Sequence, residues 1–244
     1  MKSFFSKKSI LGTMAVAAVC MLGTSNAQAQ EFTIQGDLVS SYVWRGIYQG
    51  GAASFQPTLG FSIGNFSLTA WGSTSLSESN KEIDLTAAYK FGEAGPTLSV
   101  ATLWWDGQAD VANGELTNNY FHFKSGDTGH HFEAGLAYTL PIEKFPLSIA
   151  WYTMFAGADR KTTDEGEEKQ AYSSYVELNY PFSVKGVDLN ATCGVVPYKT
   201  PQYNVNGFAV TNLALKATKA INFNDKFSLP IFAQAIWNPR LEDA

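Results

Sequence analysis

Three histidines and one acidic run are the first candidates for chemistry in this 244-residue chain. The histidines are His122, His130 and His131. His130 and His131 are adjacent, so on a strand they point to opposite faces and cannot easily share a metal ion with each other. No Ser-His-acid spacing accompanies them. The acidic stretch 164–168 lacks the one-three-five ligand spacing of an EF-hand-type loop. We therefore predict no catalytic residue, no metal site and no cofactor, and we interpret the acidic stretch as a solvated loop.

A second group of charged residues recurs at every other position, opposite apolar residues. This period places them on one face of β-strands, and in a membrane barrel that face lines the lumen. The predicted pore-lining residues are Asp37, Arg45, Asp84, Lys90, Glu133, Glu177, Asp188 and Lys216. Bulky residues share this face and are predicted to constrict it: Trp71, Tyr152, Tyr175 and Phe232.

The lumen-facing charges have two interpretations. They form a polar permeation path, or the carboxylates pair with Arg45, Lys90 and Lys216 and fill the interior. Twelve strands enclose only a modest lumen, so the bulky groups either close it or line it for a partly apolar solute. Arg45 either binds an anionic group at the pore mouth or pairs with a carboxylate of a neighbouring strand, while Gly46 permits a tight bend.

The first element that positions these residues is segment 32–46. Phe32 and Ile34 lie on one face and Asp37 and Arg45 on the other. Fifteen residues exceed an ordinary sandwich strand but suit a tilted membrane-spanning strand. We expect one continuous strand, with Asp37 in the lumen and Trp44 in an aromatic girdle at the outer end.

Ten further segments repeat this alternation. They span residues 54–63, 66–74, 82–91, 97–105, 131–140, 145–155, 171–182, 187–196, about 209–219, and 227–238. With segment 32–46 counted as the first of eleven, the connections after the even-numbered segments are short, as periplasmic turns are. The connections after the odd-numbered segments are mostly longer and more polar, as extracellular loops are. The predicted fold class is all-β, an antiparallel up-and-down transmembrane β-barrel. The aromatic cluster 120–123 is expected to pack over the barrel mouth.

Eleven strands are visible of an expected twelve, because bacterial single-chain barrels have an even number. The sequence predicts either truncation, which we favour, or imperfect closure. In both cases the outer hydrogen-bonding edge of the first strand is left exposed.

Residues 1–29 have the features of a cleaved signal peptide, with a lysine-rich start, an apolar run and the motif Ala27-Gln28-Ala29. Residues 30–244 then form one barrel domain, in which Cys193 is the only cysteine, so no internal disulfide is possible. Acidic residues outnumber basic ones 22 to 17, which disfavours nucleic-acid partners. We predict export to the outer membrane of a Gram-negative bacterium. The expected partners are the lipid bilayer and the barrel-assembly machinery.

Segment 40–47, Ser-Ser-Tyr-Val-Trp-Arg-Gly-Ile, resembles the first strand of the TorF-like porins, the Gcw_chp group of Bacteroidetes-type outer-membrane proteins. Segments 70–73, 129–133 and 227–230 extend the resemblance over most of the mature chain. The resemblance implies a barrel of about twelve strands and a transport role, and it brings no catalytic residues and no substrate. We therefore expect a porin for passive passage of small solutes. The alternative is a closed barrel that acts as a surface scaffold or adhesion protein through its extracellular loops.

Overall fold

A computed structural model describes residues 30–106, 108–109, 116–117, 119–124, 128–225 and 227–241. The predicted signal peptide lies outside the described residues. Seventeen strands occur in this part of the chain. They are β1 (Gln30–Val39), β2 (Tyr42–Trp44), β3 (Ile47–Gly50), β4 (Ser54–Ile63), β5 (Phe66–Ser75), β6 (Lys81–Lys90), β7 (Thr97–Trp105), β8 (Gln108–Ala109), β9 (Leu116–Thr117), β10 (His130–Thr139), β11 (Ser148–Gly157), β12 (Arg160–Thr162), β13 (Glu168–Gln170), β14 (Ser174–Val184), β15 (Val187–Val196), β16 (Ala209–Asn222) and β17 (Ser228–Trp237).

Eleven of the strands form one antiparallel up-and-down sheet, in the order β1-β4-β5-β6-β7-β10-β11-β14-β15-β16-β17. The predicted all-β, antiparallel fold is thereby confirmed. Strands β4, β7 and β15 have the predicted bounds, and the other predicted strands after the first begin and end within three residues of their observed limits. In the described ranges, no helix has the length and apolar character needed to cross a membrane.

The sheet has an apolar convex face and a polar inner face. Along β1, Phe32, Ile34 and Leu38 are exposed on the convex face, whereas Asp37 is buried on the inner one. Asp37 and Lys216 interact electrostatically although their strands, β1 and β16, lie near opposite ends of the sheet order. The sheet is therefore curled, with its polar face inside.

The two edge strands, β1 and β17, face each other across a cavity of 690 Å³ that we call the seam. Among the described residues, no hydrogen-bonded ladder joins them. As the first and last of eleven antiparallel strands they run in the same direction, so direct pairing would have to be parallel. The sheet is open at the seam, and the outer edge of β1 has the exposure expected from the sequence.

The prediction of one continuous strand over 32–46 is wrong. Strand β1 ends at Val39, and the chain bends at Ser40 and Ser41. Strands β2 and β3 then form a separate two-stranded hairpin, residues 42–50, which we call the inner hairpin. It folds towards the inner face, where Trp44 is only 7% exposed. Trp44 is therefore not a girdle anchor, because its ring is used in internal packing.

The aromatic cluster 120–123 does not cover a mouth. The Tyr120 ring contacts Trp104 edge-on, and the Phe123 ring stacks on His130 with centroids 4.4 Å apart. Trp104 and His130 point outwards from β7 and β10, while the adjacent Trp105 and His131 point inwards and contact each other. The prediction that His130 and His131 face opposite sides is confirmed, and the cluster lies on the convex side.

Candidate functional site

The inner hairpin turns at Arg45 and Gly46, which have φ angles of +50° and +82°. Two positive φ angles define a tight type I′ turn, for which Asn-Gly is the favoured pair. Arginine in this conformation costs about 1 kcal/mol or more. Gly46 is required by space as well, since a Cβ there would overlap the Thr211 carbonyl. The Asn238 side-chain amide donates to the Gly46 carbonyl at 3.1 Å and holds the turn in place.

The turn places the Arg45 guanidinium against Glu133 on β10. Its two terminal nitrogens donate to the two Glu133 oxygens at 2.6 and 2.7 Å. One of them also donates to the Tyr203 hydroxyl at 2.7 Å. This two-pronged geometry is the strongest form of arginine–carboxylate contact. Both side chains are largely buried, at 13% and 6% exposed, so water screens the pair only weakly.

Aromatic rings surround the same guanidinium. Its central carbon lies 4.7, 4.4 and 4.9 Å from the ring centroids of Trp44, Tyr152 and Tyr175. Such contacts are cation–π interactions, which strengthen when water is excluded. Tyr203 stacks on Trp44 and on Tyr175. We call Glu133, Trp44, Tyr152, Tyr175 and Tyr203 together the cage.

The cage walls are held by their own partners. The Tyr175 hydroxyl donates to Glu177 at 2.8 Å and accepts from the Asn212 amide at 3.1 Å. Gly194 leaves room for the Tyr175 ring, which any side chain there would meet. Burial raises the pKa of the Tyr203 phenol, so the hydroxyl is neutral at physiological pH. The charge that the cage presents to Arg45 is therefore that of Glu133.

Further carboxylates lie near the cage. Glu82 and Asp84 stand two residues apart on β6 and both act electrostatically on Arg45. Neither oxygen of Glu82 has a hydrogen-bond partner of normal geometry among the described residues, although Tyr42 and Trp105 lie beside it. In the same part of the chain, no group of three or more His, Cys, Asp or Glu side chains is placed to hold a metal ion. The surroundings of Arg45 therefore contain two further carboxyl groups besides Glu133, which pairs with it directly.

Two polar cavities flank the cage along the strands. The loop-side cavity, 160 Å³, is lined by Tyr42, Gln49, Asn80, Glu82, Trp105 and Asp106, among others. The turn-side cavity, 360 Å³, has among its lining residues Lys90, Glu93, Tyr152, Glu177, Asn179 and Asn190. Between them, Met154, Tyr175 and Val196 are fully buried. The inner face therefore carries two polar chambers separated by a packed layer.

The predicted pore-lining residues mostly lie on the inner face. Asp37, Asp84, Glu133 and Glu177 are directed inwards, and Lys90 lines the turn-side cavity. Asp188 differs, since it is exposed at a turn and accepts a hydrogen bond from Ser183. The placement of these residues does not establish that they line a pore, which stays a prediction.

The predicted constriction residues fall into two groups. Tyr152 and Tyr175 belong to the cage, and Trp71 packs on Tyr42 of the inner hairpin with centroids 5.5 Å apart. Phe232 lies instead beside the seam, where the Lys216 ammonium sits 4.2 Å from its ring centroid. The first group contributes to the packed layer or borders it, whereas Phe232 does not belong to the cage.

Of the two sequence interpretations of Arg45, the structure fits the ion pair with a carboxylate. The carboxylate does not belong to a neighbouring strand, as the sequence interpretation had it. Glu133 lies on β10, far from β1 in the sheet order, and the pair is internal. Sequence reasoning did not select Tyr203, Trp44 or Glu82 as site residues. Alternation along β6 places Glu82 beside Asp84 and would have found it, whereas no local signal marks Tyr203, which lies in the connection between β15 and β16.

The structural class is an antiparallel up-and-down sheet curled around a charged, aromatic cage. No protein-family model, no curated protein and no solved structure matches this chain. Any function assigned to the chain therefore rests on its residues and their geometry.

Proposed function

We propose that this protein is an outer-membrane β-barrel that passes small solutes along its inner face, with the inner hairpin as the gate. The observation that carries the proposal is the pair of polar cavities on one inner face, separated by a packed layer to which the hairpin contributes. The hairpin belongs to its own two-stranded sheet. It can therefore move without breaking a ladder of the eleven-stranded sheet.

The convex face supports a lipid environment. Large apolar side chains are exposed along it, and a groove of 920 Å³ is lined mainly by residues such as Phe32, Ile34, Leu59 and Phe61. Apolar patches of more than a few hundred Å² are rare on soluble monomers. Apolar-out and polar-in alternation is typical of membrane barrels. The lipid bilayer and the assembly machinery that inserts such barrels are then its partners, and residues 1–29 direct export.

The composition of the inner face favours cations. Asp37, Glu82, Asp84, Glu133 and Glu177 are inner-face carboxylates. Rings of carboxylates select cations in channels. When the hairpin is withdrawn, Arg45 leaves the inner face, and the net charge of that face becomes more negative. The open state should therefore conduct cations better than anions.

A second function is favoured by the packed layer itself. Met154, Tyr175 and Val196 have no exposed surface, and Trp71 packs on the hairpin. If the hairpin never leaves, the protein is a barrel with a blocked lumen that acts as a surface scaffold or adhesion protein through its loops. Such a barrel would keep its fold and its membrane location but pass no solute.

Flux through proteoliposomes separates the two functions. The full chain is reconstituted and the efflux of a small sugar and of potassium is followed, beside liposomes without protein. Efflux above the protein-free rate supports the channel. Its absence, in protein that shows heat-modifiable gel mobility and partitions with membranes, supports the scaffold. Extraction without detergent would contradict both.

A further inference from the structure

The cage is built to hold a planar cation, and its present occupant is a side chain of the same chain. The guanidinium has a carboxylate at its edge and the faces of Tyr152 and Tyr175 within 5 Å. This arrangement matches the shape and charge of a guanidinium better than that of an ammonium, because only the planar group fits a fork and a ring face at once.

Most of the cage does not move with the inner hairpin. Glu133, Tyr152 and Tyr175 lie on β10, β11 and β14 of the eleven-stranded sheet. Tyr175 is fixed from behind by Glu177 and Asn212. Only Trp44 and the guanidinium itself leave with the hairpin. A site for a planar cation therefore remains when Arg45 withdraws.

The route to this site is polar and acidic. Glu82, whose two oxygens have no hydrogen-bond partner of normal geometry among the described residues, lines the loop-side cavity and acts electrostatically on Arg45. Tyr152 belongs to the cage, Glu177 accepts a hydrogen bond from Tyr175 of the cage, and both residues also line the turn-side cavity. A cation in the turn-side cavity therefore lies next to Tyr152, which is one wall of the cage.

We propose that the cage is a binding site for guanidinium-bearing solutes, and that such a solute displaces Arg45 and releases the inner hairpin. The inference rests on the proposed channel function, because it names the solute class of that channel and the event that opens it. Arg45 is then an internal stand-in for the solute.

Binding is tested first on an emptied cage. Full-length Arg45→Ala in detergent is titrated with ethylguanidinium chloride and, separately, with ethylammonium chloride at equal ionic strength, by tryptophan fluorescence and calorimetry. We expect ethylguanidinium to bind about tenfold or more tightly than ethylammonium. Arg45→Ala combined with Glu133→Gln should lose this preference. A folded Arg45→Ala protein that binds neither cation, or both equally, overturns the proposal.

Displacement is tested on the intact cage. Spin labels at Tyr48→Cys on the hairpin and Lys219→Cys on β16, in a Cys193→Ser background, report the hairpin position. Adding L-arginine methyl ester should lengthen or broaden the distance distribution, and L-lysine methyl ester should do so much less. An unchanged distribution at saturating concentration overturns the proposal, including when Arg45→Ala does not fold.

The outcome separates this proposal from the channel function. Binding and displacement without flux in proteoliposomes would leave the guanidinium site standing and remove the channel. Flux without binding or displacement would do the reverse.

Discussion

The two halves of the inner face are formed by the same strands, but the half towards the loops is densely packed and the half towards the turns contains a cavity. Towards the loops, Met154, Tyr175 and Val196 are fully buried against the hairpin. Towards the turns, the same strands β11, β14 and β15 carry Ser148, Asn179 and Asn190, which line or border a 360 Å³ cavity. Asn179 there accepts hydrogen bonds from Asn190 and Thr192 and donates one to Glu177.

The difference shows that side-chain volume, and not strand number, decides where this inner face is blocked. Large rings and a hairpin fill one half, and small amides leave space in the other. If one ion pair holds the hairpin in the packed half, breaking that pair releases the hairpin and opens this half. If the packing of the sheet strands themselves blocks this half, breaking the ion pair does not open it. Substitutions in each half separate these cases.

The largest effect should follow the loss of the cage carboxylate. Glu133→Gln leaves the buried Arg45 charge without its partner, which costs about 3–5 kcal/mol at buried pairs. Because the hairpin forms a two-stranded sheet of its own, we expect this cost to appear as local opening of the hairpin. Hydrogen exchange of amides 44–48 should speed up by at least about a hundredfold, while exchange on β15 changes little.

The matched control is the exposed pair Lys169–Glu167, with 2.7 Å between its charged atoms and side chains that are 57% and 64% exposed. Glu167→Gln should change hairpin exchange by less than about 0.5 kcal/mol, as exposed pairs do. Equal effects of the two substitutions would mean that the cage does not hold the hairpin.

A smaller effect should follow a change behind the cage. A Cβ at Gly194 would meet the Tyr175 hydroxyl, so Gly194→Ala must move that ring. We expect a loss of about 1–3 kcal/mol, typical of overpacked sites, measured by urea unfolding in detergent. Gly207→Ala is the control, because nothing lies within 4 Å of a Cβ there. A loss in the control as large as that of Gly194→Ala would refute the packed layer.

The smallest effect belongs to the turn half. Asn179→Ala removes its hydrogen bonds to Glu177, Asn190 and Thr192. We expect a loss of about 1 kcal/mol in unfolding free energy and unchanged hydrogen exchange in the hairpin. Faster hairpin exchange would show that the two halves are coupled and would remove the distinction drawn between them.

The sequence predicts the sheet well and the inner hairpin poorly, for a physical reason. In β4 and β6 an exposed apolar face opposes a polar one, so each residue's side is determined by its type. The same alternation runs on through Tyr42 and Trp44, where aromatic residues suit either a lipid girdle or a core. Periodicity therefore cannot show that the chain bends inwards at Ser40.

The sequence could not predict the ion-pair partner of Arg45 for another reason. Glu133 lies 88 residues further along the chain, and only the curl of the sheet brings β10 to the hairpin. Two local signals were nevertheless present. The segment 32–46 is long for a strand, and Arg45-Gly46 between Trp44 and Ile47 fits a two-residue turn with Gly in second place.

Single-channel recording of the wild type beside Arg45→Ala in planar bilayers tests the central claim most directly. If the hairpin is a gate held by the cage, the wild type opens rarely, and the open probability of Arg45→Ala is about tenfold higher or more. The open state of both proteins should conduct potassium better than chloride. Glu167→Gln, in the exposed pair with Lys169, should resemble the wild type. Folded, inserted Arg45→Ala protein that never opens would contradict the gate, and leave a barrel closed by its own packing.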